Sequence, residues 1–143
     1  MTIRIIAVGT LKESFYESAV AEYVKRLGKY AKVEIIQIKE STPEREATDI
    51  ATKIKGYTIL LDINGVPTTS PALAKLIQDT MMTKSTITFL IGGSNGVGSN
   101  LDNLVENKIS FGAITLPHQL FRVVLVEQIY RAFTIIGNEK YHK

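Results

Sequence analysis

The chain has 143 residues, of which 45% are hydrophobic, so it is long enough for one domain with a full core and gives no reason to expect a second. Because it contains no cysteine, disulfides and thiolate metal sites are excluded, and it shows neither a signal-peptide pattern nor an apolar run long enough to span a bilayer. Its 17 Lys and Arg against 14 Asp and Glu leave a net charge of +3, far below that of a dedicated electrostatic nucleic-acid binder, and we expect a soluble cytoplasmic protein.

The first part of the chain alternates short apolar runs with helical patterns. Strands are predicted over Ile3 to Val8, Val33 to Ile38 and Thr58 to Ile63, the last closed by the turn pair Asn64-Gly65. Helices are predicted over Ser14 to Gly28 and over Glu44 to Lys55. Short buried strands joined by helices favour a parallel sheet.

The same alternation continues in the second part of the chain. A helix over Ala72 to Met82 is followed by a strand over Ile87 to Ile91, which runs into the glycine-rich segment 92–98. A short helix is predicted from Ser99 or Asn100 through Asn107, and a fifth strand over Ser110 to Leu116. The chain is therefore predicted to form a single-domain layered α/β fold over residues 1–143, with a mostly parallel five-stranded sheet.

A long apolar helix with a polar tail ends the sequence. Pro117 suits the first turn of a helix, so we predict that this helix begins close to Leu116. Val123 to Val126 make one turn apolar on every side, which predicts cover from more than one direction, and a second copy of the chain is one candidate for that cover. The pair Gly137-Asn138 predicts the end of the helix.

Three loops carry signals for a ligand, because ligands of open parallel sheets settle at the carboxyl ends of the strands. The glycine-rich segment 92–98 allows close approach of the backbone, yet it matches neither the P-loop nor the dinucleotide-binding fingerprint. Asp62 in a buried strand needs a partner, and Gly112 and Pro117 bracket a strand that leads into the long helix. Each loop also has a purely structural interpretation: a turn before a capped helix, a local cap on Asn64-Gly65, and a strand-to-helix turn, respectively.

The remaining polar residues leave alternatives open. His118 in the first helical turn suits a hydrogen-bonding or capping role, while Arg122 and Arg131 on an apolar helix need partners from the fold, a ligand or a second subunit. By composition alone the terminal Tyr141-His142-Lys143 is a frayed end. Two histidines without a cysteine argue against a metal centre, and no Ser/His/Asp spacing points to nucleophilic catalysis.

A basic cluster is formed by Lys25, Arg26, Lys29 and Lys32, which lie within eight residues with no acid among them. It is either a solvated helix end, where cations suit the helix dipole, or a contact for nucleic acid.

The sequence resembles a known family. AVG near the start, FLIGGSNG in the middle and ITLPHQLFRVVLVEQIYRAF with a terminal YHK are similar, in this order and over essentially the whole chain, to the bacterial ribosomal RNA large subunit methyltransferase H family. The resemblance implies a SPOUT-class homodimer with a C-terminal trefoil knot, which topology rules alone do not predict. It also implies that S-adenosylmethionine methylates ring nitrogen 3 of a pseudouridine in 23S ribosomal RNA, within the ribosome. The segment Glu40 to Gly56 is shorter than is usual in the family.

The resemblance also implies a site, residue by residue. It implies that the cofactor is bound by Leu61, Gly92 and the backbone of Phe111, Gly112, Ala113, Ile114, Thr115 and Leu116. Catalysis or substrate binding is implied for Arg131, Tyr141, His142 and Lys143. Within that set, His142 suits the general base, Tyr141 suits stacking on the target base, and Arg131 and Lys143 suit phosphate. The alternative hypothesis is a non-catalytic nucleotide- or RNA-binding α/β module that uses the same glycine-rich segment.

Overall fold

The computed structural model describes residues 1–92 and 99–143, so most of the glycine-rich segment, residues 93–98, lies outside the described residues. Strands and helices alternate along the described chain as β1 (Thr2–Val8), α1 (Ser14–Leu27), β2 (Lys32–Ile38), α2 (Pro43–Ala51), β3 (Tyr57–Pro67), α3 (Ser70–Met81), β4 (Thr86–Ile91), a 3₁₀ helix (Ser99–Leu104), β5 (Asn107–Ser110) and α4 (His118–Ile136).

The five strands form one parallel sheet in the order β2-β1-β4-β3-β5. β1 and β4 lie next to each other near the middle of the sheet, where Ile5 pairs with Ile35 on one side and with Phe89 on the other. The predicted α/β fold class with a parallel five-stranded sheet is confirmed. The trefoil knot stays a prediction, because the path of the chain after β4 passes through residues outside the described range.

Side chains alternate between the two faces of the sheet, and each face has its own hydrophobic core. On one face, Ile3, Ile5 and Phe89 pack under α1, α3 and α4. On the other face, Ile6 and Leu90 pack with residues of α2 and the 3₁₀ helix. The fold is therefore a three-layer arrangement in which α4 is covered by α1 and α3 of the same chain.

The apolar turn of α4 is buried unevenly. Leu125 and Val126 are fully buried in the core, whereas Val123 and Val124 are only half-buried. The expectation of cover from more than one side is met for Leu125 and Val126 by the sheet and the neighbouring helices of the same chain. Only the half-buried side of the turn is left for a partner.

Two strands, β3 and β5, were predicted with wrong boundaries, and both errors matter for the site. β3 does not end at Asn64-Gly65 but continues to Pro67 after an irregularity, because its far end pairs with β5. A Cβ on Gly65 would lie 2.8 Å from the backbone of Ile109, so this glycine permits close approach of two strands and does not form the predicted turn. β5 spans Asn107–Ser110 and not Ser110 to Leu116, so the predicted strand shares only Ser110 with it. The chain leaves the sheet after Ser110, whose hydroxyl bonds the backbone of Gly112, and the φ of Gly112 is +137°.

Two predicted helices were too long. α2 ends at Ala51 and not at Lys55, because the chain beyond it is bound elsewhere: Arg4 donates to the Lys53 carbonyl at 2.7 Å, and Thr88 Oγ1 bonds the Lys55 backbone. The helix predicted through Asn107 is a single 3₁₀ helix that ends at Leu104, since Asn107 already pairs with β3. α3 begins earlier than predicted, at Ser70, because the Thr69 side chain caps it.

Candidate functional site

A cleft of about 540 Å³ opens at the carboxyl ends of β3, β4 and β5. Seven of the eight residues predicted to bind a cofactor line it: Leu61, Gly92, Phe111, Gly112, Ile114, Thr115 and Leu116. Ala113 does not line the cleft but lies within the same segment. The structure therefore brings together residues that the sequence places up to 55 positions apart, since Leu61 and Leu116 both line the cleft.

The wall formed by residues 111–116 is irregular backbone, because β5 ends before it. Within the described part of the chain, the backbone N–H groups of residues 113–116 donate no hydrogen bond. Ile114 lines the cleft with 83% of its surface exposed. The segment thus offers backbone donors that no described residue accepts from, next to exposed apolar surface, which suits a ligand with both a polar edge and an apolar face.

The hydrogen-bond partner that Asp62 was predicted to need is a backbone group two residues further along the chain. The Asp62 carboxylate accepts a hydrogen bond of 2.9 Å from the backbone N–H of Asn64. The structural interpretation, a cap on the following residues, therefore accounts for this contact, although Asp62 also lines the cleft.

The tail of the chain is packed against α4, with Glu127 at the centre of the contacts. The Glu127 carboxylate accepts from Arg131 Nη2 at 3.0 Å, from Arg131 Nε at 3.3 Å and from the Tyr141 hydroxyl at 2.9 Å. Only 17% of the Glu127 side chain and 25% of the Arg131 side chain are exposed, so the pair is stronger than the exposed i,i+4 pair that the sequence suggests. By sequence alone only this spacing pointed to Glu127.

Tyr141 is held from three directions. Its hydroxyl donates to Glu127, its ring meets Tyr130 edge to face at 4.8 Å, and the Arg131 guanidinium lies 4.7 Å from the ring centroid. Burial raises the pKa of Tyr141, and the neighbouring Tyr23 and Glu127 raise it further. The hydrogen bond to Glu127 likewise raises the pKa of Arg131. The frayed-end interpretation is therefore wrong for Tyr141.

The contact of His142 defines its tautomer. Arg131 Nη1 lies 3.2 Å from His142 Nδ1, and because a guanidinium only donates, Nδ1 accepts and the ring proton of the neutral imidazole lies on Nε2. In this arrangement the lone pair of His142 faces Arg131. His142 must therefore leave Arg131 before Nδ1 can take a proton from a substrate.

The residues just before Tyr141 anchor the tail to the end of α1. Asn138 adopts a φ of 55° after α4, and Glu139 then bonds the Tyr30 hydroxyl and Lys29 Nζ, the latter at 3.2 Å. The hydrogen bond from Tyr30 lowers the pKa of Glu139. Arg26 of the basic cluster lies 5.6 Å from the ring centroid of Tyr130, so the basic cluster and the tail share one surface.

The two groups of predicted residues lie at opposite ends of α4. His118 and Phe121 at its start line the cleft, whereas Arg131, Tyr141 and His142 gather around its second half. At about 1.5 Å per residue, roughly 20 Å of helix axis separates His118 from Arg131. One chain does not bring its own tail to its own cleft. Lys143 is exposed.

The start of α4 also lines a second cavity, of about 500 Å³, at the carboxyl ends of β1 and β2. Arg122, which needed a partner, is only 2% exposed and donates through Nη2 to the carbonyls of Val8 at 3.2 Å and Gly9 at 3.1 Å. His118 lines both this cavity and the cleft, and α4 has no side-chain cap of its own. Of the hydrogen-bonding or capping role expected for His118, the capping alternative was therefore wrong, and the hydrogen-bonding alternative stays a prediction.

Among residues 1–92 and 99–143, no group of three or more His, Cys, Asp and Glu side chains is placed to hold a metal ion. Over the same residues, no helix has the length and hydrophobicity needed to cross a membrane.

Comparison with known proteins gives one consistent family. A family model described as predicted SPOUT methyltransferase matches residues 1–142. The ribosomal RNA large subunit methyltransferase H of Mycoplasmopsis synoviae is 48% identical over 152 aligned positions, which cover all of both chains. The protein of the same name from Leuconostoc citreum is 44% identical over 159 positions, again covering all of both chains. These relatives carry residues that this chain lacks.

Among solved structures, the SpoU methyltransferase AviRb from Streptomyces viridochromogenes, in complex with the cofactor AdoMet, is 11% identical and superposes with a TM-score of 0.48. The superposition covers 98% of this chain and 59% of that one.

Proposed function

Since this chain belongs to the SPOUT methyltransferase family and matches ribosomal RNA large subunit methyltransferase H proteins over its whole length, we propose that it is an S-adenosylmethionine-dependent methyltransferase of large-subunit ribosomal RNA. The acceptor we assign is ring nitrogen 3 of a pseudouridine in 23S ribosomal RNA, as the family resemblance implies. Residues 1–143 act as one methyltransferase domain in the cytoplasm.

The observation that carries this proposal is the cleft at the ends of β3, β4 and β5. Its volume of about 540 Å³ lies in the ordinary range for cofactor sites, and its lining contains the segment implied by the resemblance. The N–H groups of residues 113–116, which no described residue accepts from, would meet polar edges of the cofactor, and Leu61 and Ile114 would meet its apolar surfaces. When bound, S-adenosylmethionine supplies an activated methyl group on a sulfonium.

The residues of the tail would handle the acceptor. Ring nitrogen 3 of the base carries a proton that must leave, and the imidazole of His142 is the general base we assign to accept it. In the free chain Arg131 occupies His142 Nδ1, so substrate binding would have to draw Arg131 away, which a phosphate can do. Lys143 is exposed and available to the same phosphate. The Tyr141 ring would stack on the base.

The separation of cleft and tail supports a homodimer. One chain holds its tail roughly 20 Å along α4 from its own cleft, so chemistry within a single chain would require the tail to leave Glu127. Two copies that pack their α4 helices antiparallel would place the tail of each near the cleft of the other. The half-buried Leu120, Phe121 and Val124 on α4 are apolar surface for that contact.

Sedimentation equilibrium tests the homodimer, with Val124→Asp as the disrupting variant. Val124 is half-buried, so an aspartate there should dissociate the dimer and remove methylation while the monomer stays folded. Val126→Asp is the matched control for unfolding, because Val126 is fully buried in the chain's own core. A parent chain that sediments as a monomer and still methylates would contradict the dimer.

Methylation of ribosomes tests the function itself. Large ribosomal subunits that contain unmethylated pseudouridine should take up label from S-adenosylmethionine when the chain is added. Calorimetry separates the alternative, a non-catalytic binder: binding of S-adenosylmethionine supports the enzyme, whereas binding of only a nucleotide or RNA supports the binder. A folded chain that incorporates no label would disprove the proposed function.

A further inference from the structure

The second cavity, between the ends of β1 and β2 and the start of α4, is separate from the cleft but next to it. Gly9 and Thr10 form one side, Lys39 and Glu40 another, and Arg122 lies on α4. His118 lines both spaces, so whatever fills the second cavity lies close to whatever fills the cleft. None of the residues assigned to cofactor binding or catalysis lines it.

Arg122 is the unusual feature of this cavity, because its charge has no anionic partner among the described residues. It is 2% exposed, and Nη2 bonds only the neutral carbonyls of Val8 and Gly9. Its Nε and Nη1 atoms are buried without any hydrogen-bond partner in residues 1–92 and 99–143. Burial lowers the pKa of Arg122, yet an arginine stays charged. Burying a cation with two unpaired donors costs free energy unless an anion pairs with its charge and accepts its hydrogen bonds.

The rest of the cavity also favours an anion. Lys12 and Lys39 line it and are exposed, while Glu40 is the carboxylate among its lining residues, so cations exceed anions by three to one. Gln119 Oε1 accepts from the backbone N–H of Lys12 at 2.7 Å, which fixes the loop that carries Lys12 to α4. The amino end of the 19-residue α4 adds partial positive charge at the same place.

We propose that this cavity binds a phosphate group of the RNA substrate, near the nucleotide whose base enters the neighbouring cleft. The inference rests on the proposed function. Arg122 supplies a buried positive charge and a donor, Nη1 or Nε, for one phosphate oxygen, and Lys12 and Lys39 hold the same phosphate or the next one. Contacts of this kind fix the register of a nucleic acid without reading its sequence. The cavity therefore positions the target base.

The exposed lysines give the cleanest test, because their removal leaves the core untouched. Lys12→Ala with Lys39→Ala should weaken binding to large ribosomal subunits about tenfold or more and reduce the slope of log affinity against log salt by about 1 for each lost contact. Lys75→Ala with Lys84→Ala is the matched control, since both lysines are exposed and lie on and just after α3. The control should keep the parent affinity and slope.

Arg122→Gln tests the buried donor, with Arg122→Lys as the conservative variant. Arg122→Gln should raise the KM for ribosomal subunits at least tenfold while calorimetry shows unchanged affinity for S-adenosylmethionine, and Arg122→Lys should restore part of the loss. If Arg122→Gln unfolds, the lysine pair decides alone.

Parent-like RNA affinity and salt slope in the Lys12 and Lys39 variant would overturn the proposal. It would also be wrong if that variant kept its RNA affinity but lost its dimer, because the cavity would then hold a carboxylate of a second copy. The binding assay needs no methyl transfer, so a parent chain that fails to methylate removes the proposed function while the affinities still decide the cavity.

Discussion

The two ends of α4 are built in different ways. At its start, the cleft is formed by loop backbone at the ends of three parallel strands, with residues 111–116 contributing main-chain groups. At its far end, the tail is held by side chains that meet at Glu127, and by the Tyr30 contact to Glu139. The shape of the cleft depends on the path of the backbone, whereas the position of the tail depends on particular side chains.

The difference indicates that binding and chemistry can be altered independently. A site made of backbone donors tolerates changes in side chains elsewhere, as long as the strands hold its shape. A site held by one carboxylate is weakened when that carboxylate or its partners change. Variants in the tail should therefore affect methylation and spare the affinity for S-adenosylmethionine.

Removal of Tyr141, His142 and Lys143 should have the largest effect, abolishing methylation of ribosomal subunits. Cofactor affinity should stay within about twofold of the parent, because none of the three lines the cleft of its own chain. The Glu127 and Arg131 pair remains in the truncated chain, so no buried charge is left alone. Single-turnover methylation and calorimetry on the same sample measure both quantities. Methylation at the parent rate would show that the tail has no catalytic role.

His142→Ala should reduce the methylation rate about a hundredfold if His142 is the general base. The matched variant His142→Gln keeps an oxygen that can accept from Arg131, as Nδ1 does, but cannot take up a proton. Equal losses in both variants, with a changed pH profile, would support the base. A loss in the alanine variant that glutamine restores, independent of pH, would make His142 a positioning residue.

How far the sequence predicted this structure differs between the two regions. The fold class and the three loops followed from hydrophobic periodicity and from the rule that ligands meet parallel sheets at the carboxyl ends of strands. The boundaries failed where tertiary contacts overrode local signals. Gly65 resembles a turn residue but serves the close approach of β3 to β5, and Ser110 ends β5 through its own side chain.

The tail was harder to predict, because its order depends on contacts distant in sequence. Tyr141 follows Glu127 by 14 positions, and Glu139 follows Tyr30 by 109. Hydrophobic periodicity does not predict contacts between residues so far apart in sequence, so the composition of the tail alone predicted a frayed end. Arg122 was recognised as needing a partner, but its burial beside Val8 and Gly9 is visible only in the fold.

Glu127→Gln should have a smaller effect than either change in the tail itself, slowing methylation about tenfold. The amide loses the charge that binds Arg131 and Tyr141 but keeps nearly the same shape. Two further measurements identify loosening of the tail: faster trypsin cleavage after Lys140, and a shift of the Tyr141 pKa back towards its ordinary value of 10.0 in a spectrophotometric titration. Glu22→Gln, which removes the exposed pair with Arg26, should change neither. Slow cleavage together with a tenfold loss would assign Glu127 a role in the chemistry itself.

Tyr30→Phe should have the smallest effect and shows whether the outer anchor of the tail matters. It removes the hydroxyl that bonds Glu139 but keeps the ring stacked on Phe133, with 5.4 Å between the ring centroids. Because exposed polar contacts contribute little to stability, the methylation rate should stay within about twofold of the parent rate. The pKa of Glu139 is lowered in the folded chain, mainly by this hydrogen bond, so the contact stabilises the fold above the ordinary pKa of 4.5 and is lost as the pH falls through the lower folded value. The difference in Tm between the parent and Tyr30→Phe should therefore be present at pH 7 and shrink progressively below pH 4.5. A loss of methylation as large as that of Glu127→Gln would show that the outer anchor, and not only the contacts around Glu127, sets the position of the tail.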